Sequence, residues 1–479
     1  AVGERISELV GSVLARGRGA LVVTADSTDV DRVTAATSAH GLRPVRLVAE
    51  SGPEARYRAF LKILTGAARL VVGTRAAVFA PVADLGAIIV WDDGDESLSE
   101  PQAPGWHARE VAALRSASCG ASLVIGGSSA TLESVRMAQA GWLTPVDMPR
   151  SLLRVRAPRV QVGADLAHGD PALAADRIPS VALQALRAGV AEGPVLVSVP
   201  RAGYLPVLAC QTCREPVRCP TCSSAMRADG PDRRPTCGEH GPVVDWRCPL
   251  CAGTHLRAAV VGVRRTAEEF GRALPGTSVV TSSGDQPVRT LPGPRCLVVA
   301  TPGAEPDPGR DGYAALVILE AAAALSRPGL RVAEEVLRRW FAAASLVRPA
   351  GAGGRVVVIG DPGFREVQAL IRWDPLGYAR RELEERRELD LPPAVRIAQL
   401  VGPALAAGEL VEEICQELGG TVLRRSGPLH GPDDTVTWLV AVSISDGPQL
   451  AAALQRSQSA RSARRAPVVA SRMDPIRLR

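Results

Sequence analysis

Over residues 1–150 the chain alternates short apolar runs with stretches of helical spacing. The runs are Gly19-Ala20-Leu21-Val22-Val23-Thr24, Leu70-Val71-Val72-Gly73-Thr74, Gly86-Ala87-Ile88-Ile89-Val90 and Ser122-Leu123-Val124-Ile125-Gly126. A strand covered on both faces shows no polar side, so its apolar residues run on without alternation. Glu54–Leu64 is one of the helical stretches between them. Such runs alternating with helices predict an α/β fold built on a doubly wound sheet.

The pattern returns from about Ser180 to Pro362, with strands expected at 194–199, 257–261, 278–280, 296–300, 316–319 and 355–359. Beyond Asp361-Pro362 the character changes. Tyr378–Leu389 reads as a charged helix, and opposite charges three or four residues apart predict a solvated face. Leu391-Pro392-Pro393 stops it. Residues 396–447 predict a small α+β unit with a helix at Ala407–Leu418 and a strand at Val436–Val440. Arg456–Arg479 carries seven arginines, which fit either a phosphate-contacting edge or a solvated end.

A cluster of cysteines interrupts the second α/β region. It reads Cys210-Gln-Thr-Cys213, Cys219-Pro-Thr-Cys222, Cys237-Gly-Glu-His240 and Cys248-Pro-Leu-Cys251. A C-x-x-C turn presents two thiolates on one knuckle, and a structural zinc ion takes four such ligands in a tetrahedron. Eight ligands supply two closed sites, with no coordination position left for a catalytic water. A disulfide framework is the other reading of such a cluster, but the chain shows no secretory leader, which favours zinc. Nested pairing would put Cys210, Cys213, Cys248 and Cys251 on one ion and Cys219, Cys222, Cys237 and His240 on the other. Sequential pairing remains open on spacing alone. His240 enters the set because it fills the eighth slot of a C-x-x-H pair.

Composition alters this picture little. No run of eighteen or more apolar residues occurs, so no membrane span is expected, and a soluble cytoplasmic protein is. The chain begins with Ala1 rather than Met, which suggests a fragment or a processed chain. Net charge is +6, compatible with a nucleic-acid partner. Lys62 is the single lysine, so the abundance of arginine is largely compositional and says little about phosphate binding.

Several stretches resemble motifs of the PriA family of primosomal replication-restart proteins. Gly73-Thr74-Arg75-Ala76-Ala77-Val78-Phe79-Ala80-Pro81 is similar to its G-T-R-S-A-x-F-x-P segment, and Gly105-Trp106-His107-Ala108-Arg109 to its Y-H-A-R-D segment. Ser129-Ala130-Thr131 resembles its G-S-A-T-P motif, and Arg201-Ala202-Gly203-Tyr204 the R-R-G-[FY] before its zinc region. Glu385-Arg386-Arg387 with Leu391-Pro392-Pro393, and the closing Asp474-Pro475-Ile476, match its C-terminal domain. The resemblance covers essentially the whole chain. It implies two RecA-like, superfamily 2 helicase-type lobes, a double zinc-binding insertion in the second, and a small α+β C-terminal domain. The implied boundaries are 1–150 for the first lobe, 151–206 and 257–366 for the second, 207–256 for the zinc module and 367–479 for the C-terminal domain. It also implies the nested zinc pairing.

The ATP machinery of that family does not carry over residue by residue. A phosphate loop needs glycines and then a lysine; none precedes Gly19, and Lys62 follows Phe60-Leu61 without glycines. Val2–Leu14 reads as the helix that would follow such a loop. In the family's Asp-Glu-Glu-His box, Trp91 takes the place of the metal-holding Asp, Asp92 and Asp93 those of the two Glu, and Gly94 that of His. An indole does not hold Mg²⁺. Asp92 acting one register over is the alternative. The arginine-finger motif Q-V-A-G-R-A-G-R falls on Ala342–Gly351, where Arg348 stands beside Pro349. The segment G-T-Q-M-x-x-K-G is reduced to Ala300-Thr301-Pro302-Gly303-Ala304.

No residue is therefore assigned a catalytic or nucleotide-binding role. The expectation is a non-enzymatic restart protein that binds abandoned or stalled forks and helps reassemble the primosome and replisome. Its expected partners are forked and single-stranded DNA, other restart proteins and single-stranded-DNA-binding protein. Trp246 would either stack on DNA bases or pack under the zinc knuckle. The alternatives are an ATP-dependent 3′–5′ helicase whose phosphate loop lies upstream, and a zinc-ribbon interaction protein without DNA affinity.

Overall fold

The computed structural model describes residues 2–163, 179–200, 208–213, 215, 217–221, 226–229, 234–237, 240–243, 245–258, 263–327, 329–431 and 435–476. Cys222 and the Arg201–Tyr204 motif lie outside them. The chain divides into two compact units, Ala1–Pro145 with Ala379–Leu478, and Val146–Tyr378.

The first unit contains β1 (Gly19–Val23), β2 (Val45–Leu47), β3 (Leu70–Gly73), β4 (Leu85–Trp91) and β5 (Ser122–Gly126). They form one parallel sheet in the order β2-β3-β1-β4-β5. Successive residues of β1 feed opposite cores, as strand geometry requires. Ala20 and Val22 pack with Ile6, Val10, Val30 and Val33 of the helices Val2–Ala15 and Ser27–Ala39. Leu21 and Val23 pack with Ile63, Ala108 and Ala112 of the helices Gly52–Leu64 and Ala108–Cys119. Burial on both faces is why these strands lack polar alternation.

In the second unit, β6 (Arg159–Gly163) and β7 (Val195–Ser198) precede the cysteine segment. That segment holds β8 (Leu208–Cys210), β9 (Arg227–Asp229), β10 (Arg234–Cys237), β11 (Gly241–Pro242) and β12 (Leu256–Ala258). After it come β13 (Ser278–Ser282), β14 (Cys296–Ala300), β15 (Ala315–Ile318) and β16 (Arg355–Ile359). The main sheet is parallel, in the order β13-β14-β7-β15-β16-β6. One expected strand is corrected. Residues 256–258 pair with β8 inside the cysteine segment, not with the main sheet, and 259–261 lie outside the described residues. The edge strand β6 escapes the sequence pattern because Arg159 and Gln161 alternate with its valines.

The C-terminal part of the first unit carries β17 (Arg396–Pro403), β18 (Val422–His430), β19 (Thr435–Val442) and β20 (Ala470–Met473). They form an antiparallel sheet, β18-β19-β17-β20. The helices Ala404–Leu418 and Gly447–Ala463 bury Leu410, Ile414, Leu450 and Ala453 against it. Between these helices Arg456 pairs with Glu417, Arg461 with Glu409 at 3.5 Å and Arg464 with Glu413 at 2.9 Å. Three of the tail arginines therefore brace a helix pair.

The charged helix, Pro375–Glu388, also differs from expectation. Arg386 is 2% exposed, bonded to Glu382 at 3.0 Å and donating to the Pro392 carbonyl at 2.8 Å. The spacing of Arg386 from Leu391-Pro392-Pro393 is thus a helix side chain fastening the turn that follows. Asp474 accepts from Arg396 at 2.5 Å and from the Ile397 amide at 3.1 Å, tying the end of β20 to β17. Among the described residues no helix is long and apolar enough to cross a membrane.

Candidate metal centre and the acidic end of the first sheet

The cysteine segment is closed at its base by β8 and β12. They pair antiparallel with Cys210 opposite Leu256, which returns the end of the segment to its beginning. Two tight turns then carry the ligands. The Cys210 amide donates to the Glu215 carbonyl at 2.9 Å. The Ala252 amide donates to the Cys248 carbonyl at 2.9 Å, with Ala252 left-handed at φ 57°. An added Cβ at Gly253 would lie 3.3 Å from the sulfurs of both Cys210 and Cys251, so a side chain there would crowd the ligands.

The Sγ atoms of Cys210, Cys213, Cys248 and Cys251 all lie within 4.8 Å of one another. Cys210 and Cys251 approach to 3.5 Å, and Cys213 and Cys248 to 3.3 Å. Thiolates around a tetrahedral ion with Zn–S near 2.3 Å stand about 3.8 Å apart, so the cage has the right size. These are the four residues of the nested grouping. Burial raises the Cys210 thiol, but bonds to the Cys213 and Thr212 backbone and to Cys251 outweigh it, and the thiol falls to about 7. At Cys213 the Glu215 backbone lowers the value, yet burial and the sulfurs of Cys248, Cys251 and Cys210 push it up to about 12. Four sulfurs this close do not all ionise until a cation joins them.

The second group contains Cys219, Cys237 and His240. His240 Nδ1 stands 3.8 Å from the Cys219 sulfur and 3.7 Å from that of Cys237. Pairing of Cys237 with Gly241 across β10 and β11 sets the chain reversal that turns His240 back. A small core of Leu208, Val217, Cys219, Met226 and Cys237 supports both groups, and Trp246 packs against it. The two groups can hold metal ions, and their soft sulfur and imidazole donors suit zinc.

The end of β4 has a different chemistry. Trp91 stands opposite Gly126 of β5, and a Cβ added at Gly126 would come within 3.0 Å of its indole. The indole packs on the apolar cluster that contains Ile6, Val10 and Ile89. Asp92 turns left-handed at φ 56°, with its amide on the Gly126 carbonyl at 2.7 Å. Asp93 is 3% exposed; its Oδ2 accepts from Arg109 Nη1 at 2.9 Å and from Thr131 Oγ1 at 2.7 Å. Glu133 lies 3.7 Å from the same guanidinium. Burial opposes the charge on Arg109, but Glu133, Asp93 and Glu110 outweigh it and hold the group protonated.

His107 and Thr131 cap the helices on either side of this network. His107 Nδ1 accepts from the Arg109 amide and Thr131 Oγ1 from the Ser134 amide, each at 3.1 Å. The segments Trp106-His107-Ala108-Arg109 and Ser129-Ala130-Thr131 thus meet at Asp93 as a buried fastening. Arg75 of the Gly73-Thr74-Arg75 segment bonds the Ser97 and Ser99 carbonyls at 2.7 and 3.0 Å and lies 5.9 Å from the Trp106 ring centre. Arg472 of β20 reaches the same loop, at Ser99 Oγ (2.9 Å) and the Glu100 carbonyl (2.8 Å). No sequence pattern signals that contact, which joins residues far apart in the chain. In the second unit Arg348 pairs with Glu192, and its backbone carbonyl would meet a Cβ added at Gly354 at 1.7 Å. Lys62 is exposed in the last turn of its helix.

The comparisons with known proteins follow the same division. A family model described as "Primosomal protein N C-terminal domain" matches residues 387–476. "Probable replication restart protein PriA" of Mycobacterium tuberculosis strain H37Rv is 42% identical over 99% of this chain and 76% of its own length. "Replication restart protein PriA" of Bacillus subtilis is 24% identical over 93% of this chain and 58% of its own length. Among solved structures, RecG bound to a three-way DNA junction overlaps 76% of this chain and 40% of its own, with TM-score 0.39 and 12% identity. The two parallel α/β lobes are of the superfamily 2 helicase type, with the cysteine segment inserted in the second. With that architecture, and identity to a PriA protein sustained along nearly its whole length, the chain belongs to the PriA family of replication restart proteins.

Proposed function

We propose that this protein binds abandoned or stalled replication forks and helps reassemble the primosome and replisome without unwinding DNA. Its DNA partners are forked and single-stranded, and its protein partners are other restart factors and single-stranded-DNA-binding protein, all in the cytoplasm. Two zinc ions complete the cysteine module, one on Cys210, Cys213, Cys248 and Cys251 and the other on Cys219, Cys222, Cys237 and His240. The ions are structural: they fix the strand ends of a module too small to hold itself by apolar burial. The module spans 207–256, the lobes 1–150 and 151–206 with 257–366, and the C-terminal domain 367–479.

The observation that carries the absence of unwinding is the state of the β4 end. Trp91 packs against the apolar core where the family's metal-holding Asp would stand, and Asp93 is enclosed by Arg109 and Thr131. A metal-nucleotide complex needs exposed carboxylate oxygen there. Arg348, paired with Glu192, offers no substitute for a transition-state arginine. The test is ATP turnover by the full-length protein with and without forked DNA, alongside fork binding at rising salt. The expected result is salt-sensitive binding with no DNA-stimulated turnover, since phosphate contacts release counterions. Turnover raised severalfold by the fork would establish instead a 3′–5′ helicase whose phosphate loop lies upstream.

A further inference from the structure

The helix Gly52–Leu64 is anchored through Ile63, the one buried residue it has, with Ala59 half-buried beside it. The opposite face is apolar and uncovered. Tyr57 is 64% exposed, Phe60 40%, Leu61 39% and Leu64 55%. Their spacing of i, i+3, i+4 and i+7 puts them on one stripe, turned away from Ile63. Single exposed apolar residues are ordinary, but a contiguous stripe of four marks a binding surface. This chain has only four tyrosines and five phenylalanines, so two of them on one solvent-facing stripe is a concentrated display.

Charge defines the occupant. At 100° per residue Arg56 flanks the stripe on one side, and Arg58 and Lys62 on the other. All three are exposed, and Glu54 is engaged by Arg58. We propose that this face docks an acidic amphipathic helix presented by another protein, its apolar side on Tyr57, Phe60, Leu61 and Leu64 and its carboxylates on Arg56, Arg58 and Lys62. A second copy of this chain would oppose these cations to their own like across a twofold axis. Single-stranded nucleic acid would use the two rings but gain no base stacking from Leu61 or Leu64.

The test uses the full chain and three fluorescent probes: an amphipathic peptide with glutamates flanking leucine and phenylalanine, the same peptide with lysine for each glutamate, and an oligothymidylate. The acidic peptide is expected to bind, the basic one not. Tyr57→Ser with Leu61→Ser should weaken it about tenfold while leaving oligothymidylate binding unchanged. Carbodiimide should couple the Lys62 amine to a peptide carboxylate as an amide. Lys62→Arg should abolish that product without changing affinity. Failure of the acidic peptide to bind, or equal binding by the double-serine variant, overturns the proposal. So does loss of oligothymidylate binding in that variant, or its conversion of a dimer to a monomer in sedimentation.

Discussion

The cysteine module and the end of β4 treat inherited polar residues in opposite ways. In the module, sulfurs and an imidazole converge without hydrogen-bonding partners strong enough to replace a cation, and backbone turns leave room around them. At the end of β4, the polar residues are satisfied by the protein itself: Asp93 by Arg109 and Thr131, and the neighbouring position by an indole in an apolar core. The first arrangement needs a ligand to be stable, while the second excludes one. Recognisable motifs alone therefore do not show which regions still bind something; the partners of each side chain do.

The comparison breaks most readily at the metal. Structural zinc contributes on the order of 10–16 kcal/mol to folding a site of this kind. Chelation, or Cys248→Ser, is expected to release metal and expose the 208–258 backbone to hydrogen exchange while the two main sheets stay protected. Retained protection after metal loss would place the module with the self-sufficient regions. Arg109→Ala comes next. It leaves Asp93 buried without its cation, and breaking such a pair costs about 3–5 kcal/mol, read as a lowered midpoint in urea.

Trp91→Asp sharpens the contrast, because it restores a carboxylate without restoring its surroundings. Loss of the indole from a partly covered apolar site should destabilise by about 2–3 kcal/mol, below the range for full burial. Calorimetry with Mg²⁺ and ATP should show no binding; tight binding would mean that the β4 end remains a nucleotide site awaiting one side chain. The smallest effect is expected from Arg472→Ala. Its two bonds to the Ser99–Glu100 loop contribute about 1–2 kcal/mol together, and faster exchange at residues 99–106 should report their loss.

The main-sheet strands were legible because burial on both faces forces continuous apolar runs. Those with a polar or exposed side, β6 among them, were not. The eight candidate metal ligands were legible because C-x-x-C spacing is itself a local geometry. Sequence spacing left their grouping open, and the resemblance to the family supplied it. The pairing of β8 with β12 gives the physical basis, a contact between residues about forty-five apart. Arg386 misled because its neighbours describe a solvated helix, and only the proximity of the Pro392 carbonyl takes it inside.

The order of strands and helices, the ligand types and the loss of an acid at position 91 follow from the sequence by itself, since each depends on residue identity and near neighbours. The tertiary structure decided the rest. It enclosed Asp93, set the tail arginines on glutamates and placed the C-terminal sheet in one compact unit with the first lobe. These outcomes depend on which distant groups reach hydrogen-bonding distance, and the strength of a buried polar contact is fixed by geometry that no local pattern encodes.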